Sequence, residues 1–164
     1  MKHKSQRNVS ICSIFRKTLF DNIFTLFLYL FYPFFFRTFH FNAIALNKTG
    51  LKNLFKIISL ANTTYLYKTP RILRSKLEEL RSGILIGSGC FESEVFIEAR
   101  SKEGQELTNI INFYDYVEVQ PIECYDHLLQ SKDFETKNEL IENIKKVVRV
   151  TEEAGKLVVA TGDV

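Results

Sequence analysis

From about residue 42 the chain alternates short apolar runs of strand length with longer segments whose apolar residues recur every three to four positions, and this alternation constrains the fold more than any other feature. "NAIAL" at 42–46 reads as a strand, after which Thr49 is placed to cap a helix with Leu51, Leu54, Phe55 and Ile58 on one face. Beyond a turn at Pro70, Ser75 and Glu78 have the spacing of a capping box for a short helix that ends at Leu80. "GILIGS", from Gly83, is the next strand. Residues 92–112 read as helical with a break near Gly104, and Leu107, Ile110 and Ile111 turn inward. "YDYVEVQ" at 114–120 is a strand that Pro121 stops. The longest helix comes next, with Thr136 and Glu139 as a second capping box, Leu140, Ile141, Ile144, Val147 and Val148 as its apolar stripe, and Gly155 as its terminator. "KLVVAT" is the last strand. Near-continuously apolar strands separated by helices predict an α/β fold with about four parallel strands covered by helices.

The first forty residues are a different material. They hold nine of the fifteen Phe, and "IFTLFLYLFYPFFF" at 23–36 is interrupted only by Thr and Pro. That run is short for a bilayer span of about twenty residues, and Asp21, Asn22 and Arg37 block its extension. It reads as an uncleaved signal-like anchor with Lys2, Lys4, Arg7, Arg16 and Lys17 in front, as a shallow interfacial helix, as an ordinary core helix, or as a stretch that selection never shaped, of the kind AT-rich DNA yields out of frame. Two segments are therefore expected: residues 1–40, spurious or membrane-associated through residues 19–36, and residues 41–164 as the folded domain.

Charge follows the same break. Residues 1–48 carry seven Lys or Arg against one acid, and residues 49–164 carry fifteen against eighteen. With "KNLFK" and "IKKVVR" read as solvated helix faces, no independent nucleic-acid binding is expected. Cys12, Cys90 and Cys124 are far apart and odd in number, which fits a reducing cytoplasm and no disulfide framework.

Ligand sites of α/β sheets gather beyond the carboxyl ends of the strands. Three such tips are legible: Gly87 to Cys90, Glu118 with Gln120, and Gly162 with Asp163. A thiolate and a carboxylate at neighbouring tips can share a metal ion, which makes Cys90 and Asp163 candidate ligands. Each has a plainer reading, a buried filler for the Cys and a turn for the Gly-Asp. "GSG" lacks the Lys and hydroxyl of a phosphate loop. Glu118 faces either a polar barrel interior or an exposed sheet face, and His40 and His127, without a metal-binding partner at short spacing, read as ordinary surface or capping residues.

"NKTGLKNLFKIISLANTTYLYKTPRILRSKLEELRSGILIGSGCFESEVF", then "FYDYVEVQP", then "AGKLVVATGDV", resemble consecutive blocks of the PHP (polymerase and histidinol phosphatase) domain of PolC-type DNA polymerase III, the replicative polymerase of low-GC Gram-positive bacteria. The resemblance covers about residues 41–164. It implies a distorted seven-stranded β/α barrel, of which about four strands are represented, with a metal site ringed by His, Asp, Glu and Cys. By position, Cys90 is the family's Cys and Asp163 the Asp of a closing D-x-H. The family's opening H-x-H pair and early Glu have no counterpart, and Asn62 stands near where relatives place a His. The resemblance further implies a fragment of the polymerase that contributes part of its PHP domain. Such a fragment lacks the polymerising and proofreading carboxylates and is inactive alone. No cofactor is expected in the fragment itself; zinc or manganese belongs to an intact PHP site and magnesium to the parent polymerase. The implied partners are the remainder of the polymerase chain and, through it, the replisome and DNA. The alternatives are a small stand-alone metal-dependent phosphoesterase and an interaction module tethered to a membrane by residues 23–36.

Overall fold

The computed structural model describes residues 9–15 and 37–162. The chain divides into two compact units, Met1–Phe39 with Ala43–Ile84, and His40–Asn42 with Leu85–Val164. Fold class is α/β as expected: among the described residues six α-helices alternate with short strands.

In the first unit, β1 (Val9–Phe15) runs parallel to β3 (Ile72–Leu73), Ile14 lying opposite Ile72 and Phe15 opposite Leu73. Helix α1 (Lys48–Asn62) is capped two residues before the expected position, because Asn47 rather than Thr49 accepts the Gly50 amide, at 2.9 Å. Its inward face also differs from the expected one. Gly50, Leu54, Ile57 and Ala61 are buried, whereas Leu51 and Phe55 are exposed. The cause is a close backbone approach: a Cβ on Gly50 would stand 1.8 Å from the Gly83 carbonyl oxygen, so the helix can come this near only with glycine facing inward. Gly83 answers with φ +74, a conformation that side-chain-bearing residues avoid. Helix α2 (Arg74–Glu79) forms with Leu73 at its N-cap and no side-chain cap bond, so the predicted Ser75–Glu78 box is replaced by a helix that has already begun at Arg74.

Strand β2 (Thr38–Ala45) begins four residues before the expected start and runs through the predicted boundary at residue 40. Its neighbour in the sheet is β4 (Ile84–Gly87). The Leu46 amide donates to the Gly83 carbonyl at 2.9 Å, so the chain re-enters the sheet at the end where it left. At the other end Gly89 lies against the Phe41 backbone. β2 and β4 are consequently antiparallel, and the expected all-parallel arrangement is corrected to a mixed sheet.

In the second unit β4, β5 (Tyr116–Val119) and β6 (Leu157–Ala160) are parallel neighbours, with Gly87 opposite Tyr116 and Val117 opposite Val158. Helices α3 (Glu94–Glu98) and α4 (Gly104–Ile111) fill the predicted helical stretch, and the break falls where Gly104 takes φ +50. Leu107, Ile110 and Ile111 are buried as expected. A 3-10 turn (Ile122–Tyr125) and α5 (Asp126–Gln130) occupy a stretch whose sequence pattern announces no helix. Helix α6 (Lys137–Glu153) follows the sequence closely: Thr136 Oγ1 accepts the Glu139 amide at 3.1 Å, Leu140 and Val147 are buried, and Gly155 turns out at φ +68. The core of this unit is Phe96, Tyr125, Leu128, Phe134 and Leu140, with the Phe96 and Tyr125 rings stacked at 5.0 Å. Burying each such side chain contributes about 1.5–3 kcal/mol.

No helix among the described residues is long and apolar enough to cross a membrane. The proposed tether at 23–36 and Asp163 lie outside the described residues.

Candidate metal-binding site

Strand alternation sets the first part of the site. Phe39, Phe41 and Ala43 are buried, which turns His40 and Asn42 to the half-exposed face of β2. Across from His40, the chain leaving β4 turns sharply. Gly89, at φ +86, lies so close to β2 that a Cβ would stand 3.3 Å from the Phe41 Cα. The turn then closes on itself, with the Ser93 amide donating to the Cys90 carbonyl at 2.9 Å and Ser93 Oγ capping α3 through the Phe96 amide at 3.2 Å. The His40 amide donates to the Glu92 carbonyl at 3.0 Å, fixing this loop to β2.

Three side chains converge as a result. His40 Nδ1 lies 3.4 Å from Cys90 Sγ and 2.8 Å from Glu92 Oε2. The three ligand atoms all fall within 4.8 Å of one another. The His40 and Glu92 side chains are 30% and 50% exposed, so a cation could reach them from solvent. An imidazole nitrogen, a sulfur and a carboxylate oxygen form a donor set that suits zinc, and three protein ligands leave a coordination position for water or substrate.

Two residues along β2 from His40, Asn42 opens a second polar group. Asn42 Nδ2 donates to Glu118 Oε1 at 2.6 Å, and the Glu118 amide donates to the buried Ser88 Oγ at 2.9 Å. Glu118 therefore occupies a half-buried polar contact between strands. Burial holds the Tyr116 phenol well above the ordinary tyrosine value, and the adjacent Glu118 carboxylate acts in the same direction. Tyr116 also explains Gly87, where a Cβ would fall 2.3 Å from the Tyr116 ring.

Of the residues singled out in the sequence, Cys90 is in the cluster. Gly162 is exposed. His127 packs edge-on against Phe91 at 4.3 Å between ring centroids. The sequence pattern did not point to His40 and Glu92 as ligands. His40 is fifty residues from Cys90 and falls within the Phe-rich segment, so spacing gave no signal; extending the strand alternation back from Asn42 would have placed it on the correct face.

No family model matches the chain. It is similar to DNA polymerase III PolC-type of Bacillus subtilis strain 168, 47% identical over 128 residues, which is 78% of this chain and 9% of the relative. It is also similar to the proteins of the same name from Halalkalibacterium halodurans, 46% identical over 120 residues, and Listeria monocytogenes, 43% identical over 128 residues. The chain spans 8–9% of the length of these relatives, so it is similar to one short segment of a PolC-type DNA polymerase III.

Proposed function

We propose that the chain serves as part of the PHP-type domain of a PolC-type replicative DNA polymerase III in the cytoplasm, and that His40, Cys90 and Glu92 hold a divalent cation there. The observation that carries the metal reading is the convergence of the three side chains from β2 and the β4–α3 turn. Similarity to the polymerase segment supports the same context. Asp163 joins the ligand set by resemblance alone. A zinc or manganese ion bound in such a set supplies a Lewis acid able to polarise a phosphoryl oxygen. The chain's own residues supply the rest: Gly89 sets the approach of the turn, and the His40–Glu92 backbone bond keeps the imidazole beside the thiol. DNA synthesis, and contacts with the replisome, belong in this proposal to the remainder of the polymerase.

The test is titration of the metal-free 164-residue chain with zinc and with cobalt. One equivalent should bind, and cobalt should develop a thiolate charge-transfer band that Cys90→Ser removes. Loss of the carboxylate in Glu92→Gln should weaken zinc binding by at least about 10-fold, the scale lost when even a group that only supports a ligand is removed. Absence of stoichiometric binding, or a band that survives Cys90→Ser, overturns the assignment.

A further inference from the structure

Residues 43–84 carry eight Lys or Arg against two acids, whereas residues 85–164 carry eight against sixteen. Taken together these stretches nearly cancel, which hides the split and gives the expectation of no independent nucleic-acid binding. Within the basic stretch, the loop between α1 and β3 exposes an aromatic ring: Tyr67 is 63% exposed. Lys68 Nζ lies 5.9 Å from the centroid of that ring and the Arg71 guanidinium 5.1 Å. Arg71 Nε is buried without a hydrogen-bond partner among the described residues, which anchors the base of this side chain in the fold. A tight turn holds this arrangement, the Thr69 amide donating to the Tyr67 carbonyl at 2.7 Å and Lys68 taking φ 61. Lys48, Lys52 and Lys56 are exposed on α1 of the same unit.

We infer that this loop is a contact for single-stranded nucleic acid, Tyr67 offering a stacking surface to a base while Lys68 and Arg71 meet the flanking phosphates. An exposed ring with cations beside it is the arrangement that binds unpaired strands with little sequence preference. A duplex, whose bases are already stacked, would find the charges useful and the ring useless. The inference goes beyond the metal site and requires no cation.

Fluorescence anisotropy of a labelled oligothymidylate, with the full 164-residue chain in EDTA, tests it. Tyr67→Ala should weaken binding by about tenfold or more while Tyr67→Phe keeps it. Lys68→Glu combined with Arg71→Glu should weaken it further and flatten the dependence of log K on log salt by about 1.4, two phosphate contacts' worth for a single strand. A charge-matched pair elsewhere, Lys132→Glu with Lys145→Glu, should change affinity less than about twofold. Equal losses in the charge-matched pair, tighter binding of a duplex unaffected by Tyr67→Ala, or no binding at about 50 mM salt each overturns the inference. Because EDTA is present throughout, none of these outcomes bears on the metal reading.

Discussion

Replacing a helical glycine with alanine ordinarily stabilises a helix by about 1 kcal/mol. At Gly50 the sign should reverse. The new Cβ would stand 1.8 Å from the Gly83 carbonyl oxygen and 2.5 Å from its carbon, both backbone atoms that no rotamer change can move. Relief requires α1 and the Gly83 turn to separate by more than an ångström. That movement breaks the Leu46–Gly83 backbone bond and disturbs the Asn47 cap, each contributing about 1 kcal/mol. Repacking Leu54 and Ile57 behind the displaced helix adds about 1–3 kcal/mol. Against the propensity gain, the net loss is about 2–4 kcal/mol. Urea unfolding monitored by circular dichroism should move the midpoint down by about 1–2 M at unchanged slope. Gly104→Ala is the control: no atom lies within 4 Å of its Cβ, so only the φ penalty of about 1 kcal/mol remains. A Gly50→Ala midpoint equal to or above that of the parent would refute the close approach and, with it, the inward face assigned to α1.

Two further outcomes rest on the core and the polar layer. Leu140→Ala should cost about 2–5 kcal/mol, because a fully buried side chain leaves a cavity among Phe96, Tyr125 and Phe134, whereas Phe55→Ala should change stability by less than about 0.5 kcal/mol; both are read from urea midpoints. Tyr116 is held protonated in the folded chain above the unfolded value of 10.0, so its contribution is fully present below pH 10 and is lost as pH rises beyond it; midpoints measured from pH 8 upward should fall more steeply above pH 10 in the parent than in Tyr116→Phe.

Local encoding decides which parts of the fold are legible in the sequence. Helix α6 is legible from cap to terminator because Thr136, the Leu140 and Val147 spacing and Gly155 all lie within one segment. The existence of α1 is equally legible, but not its orientation: the apolar count favours Leu51 and Phe55, and the contact that decides the face is made by a residue with no side chain, Gly50, against a partner thirty-three positions away. The antiparallel placement of β2 likewise rests on Leu46 meeting Gly83, which no periodicity in either segment announces. Short helix α5 escapes because five residues carry no period and its N-cap makes no side-chain bond. One of the three residues of the candidate site, Cys90, is readable from a strand tip; Glu92 lies two positions on in the same turn without a signal of its own, and His40 becomes visible only when two distant stretches are laid side by side.

Strand β6 ends the sheet order among the described residues, with β5 on one side of it. Its outer row of amides and carbonyls is a template, and the four residues Leu157–Ala160 that carry it have no proline and no charge, with Leu157 66% exposed. Edges of this composition recruit whatever extended backbone arrives first, at about 4.8 Å spacing. In dilute solution that visitor is absent; at high protein concentration it is another copy of the same strand, so self-association of this chain should grow with concentration and begin at Leu157.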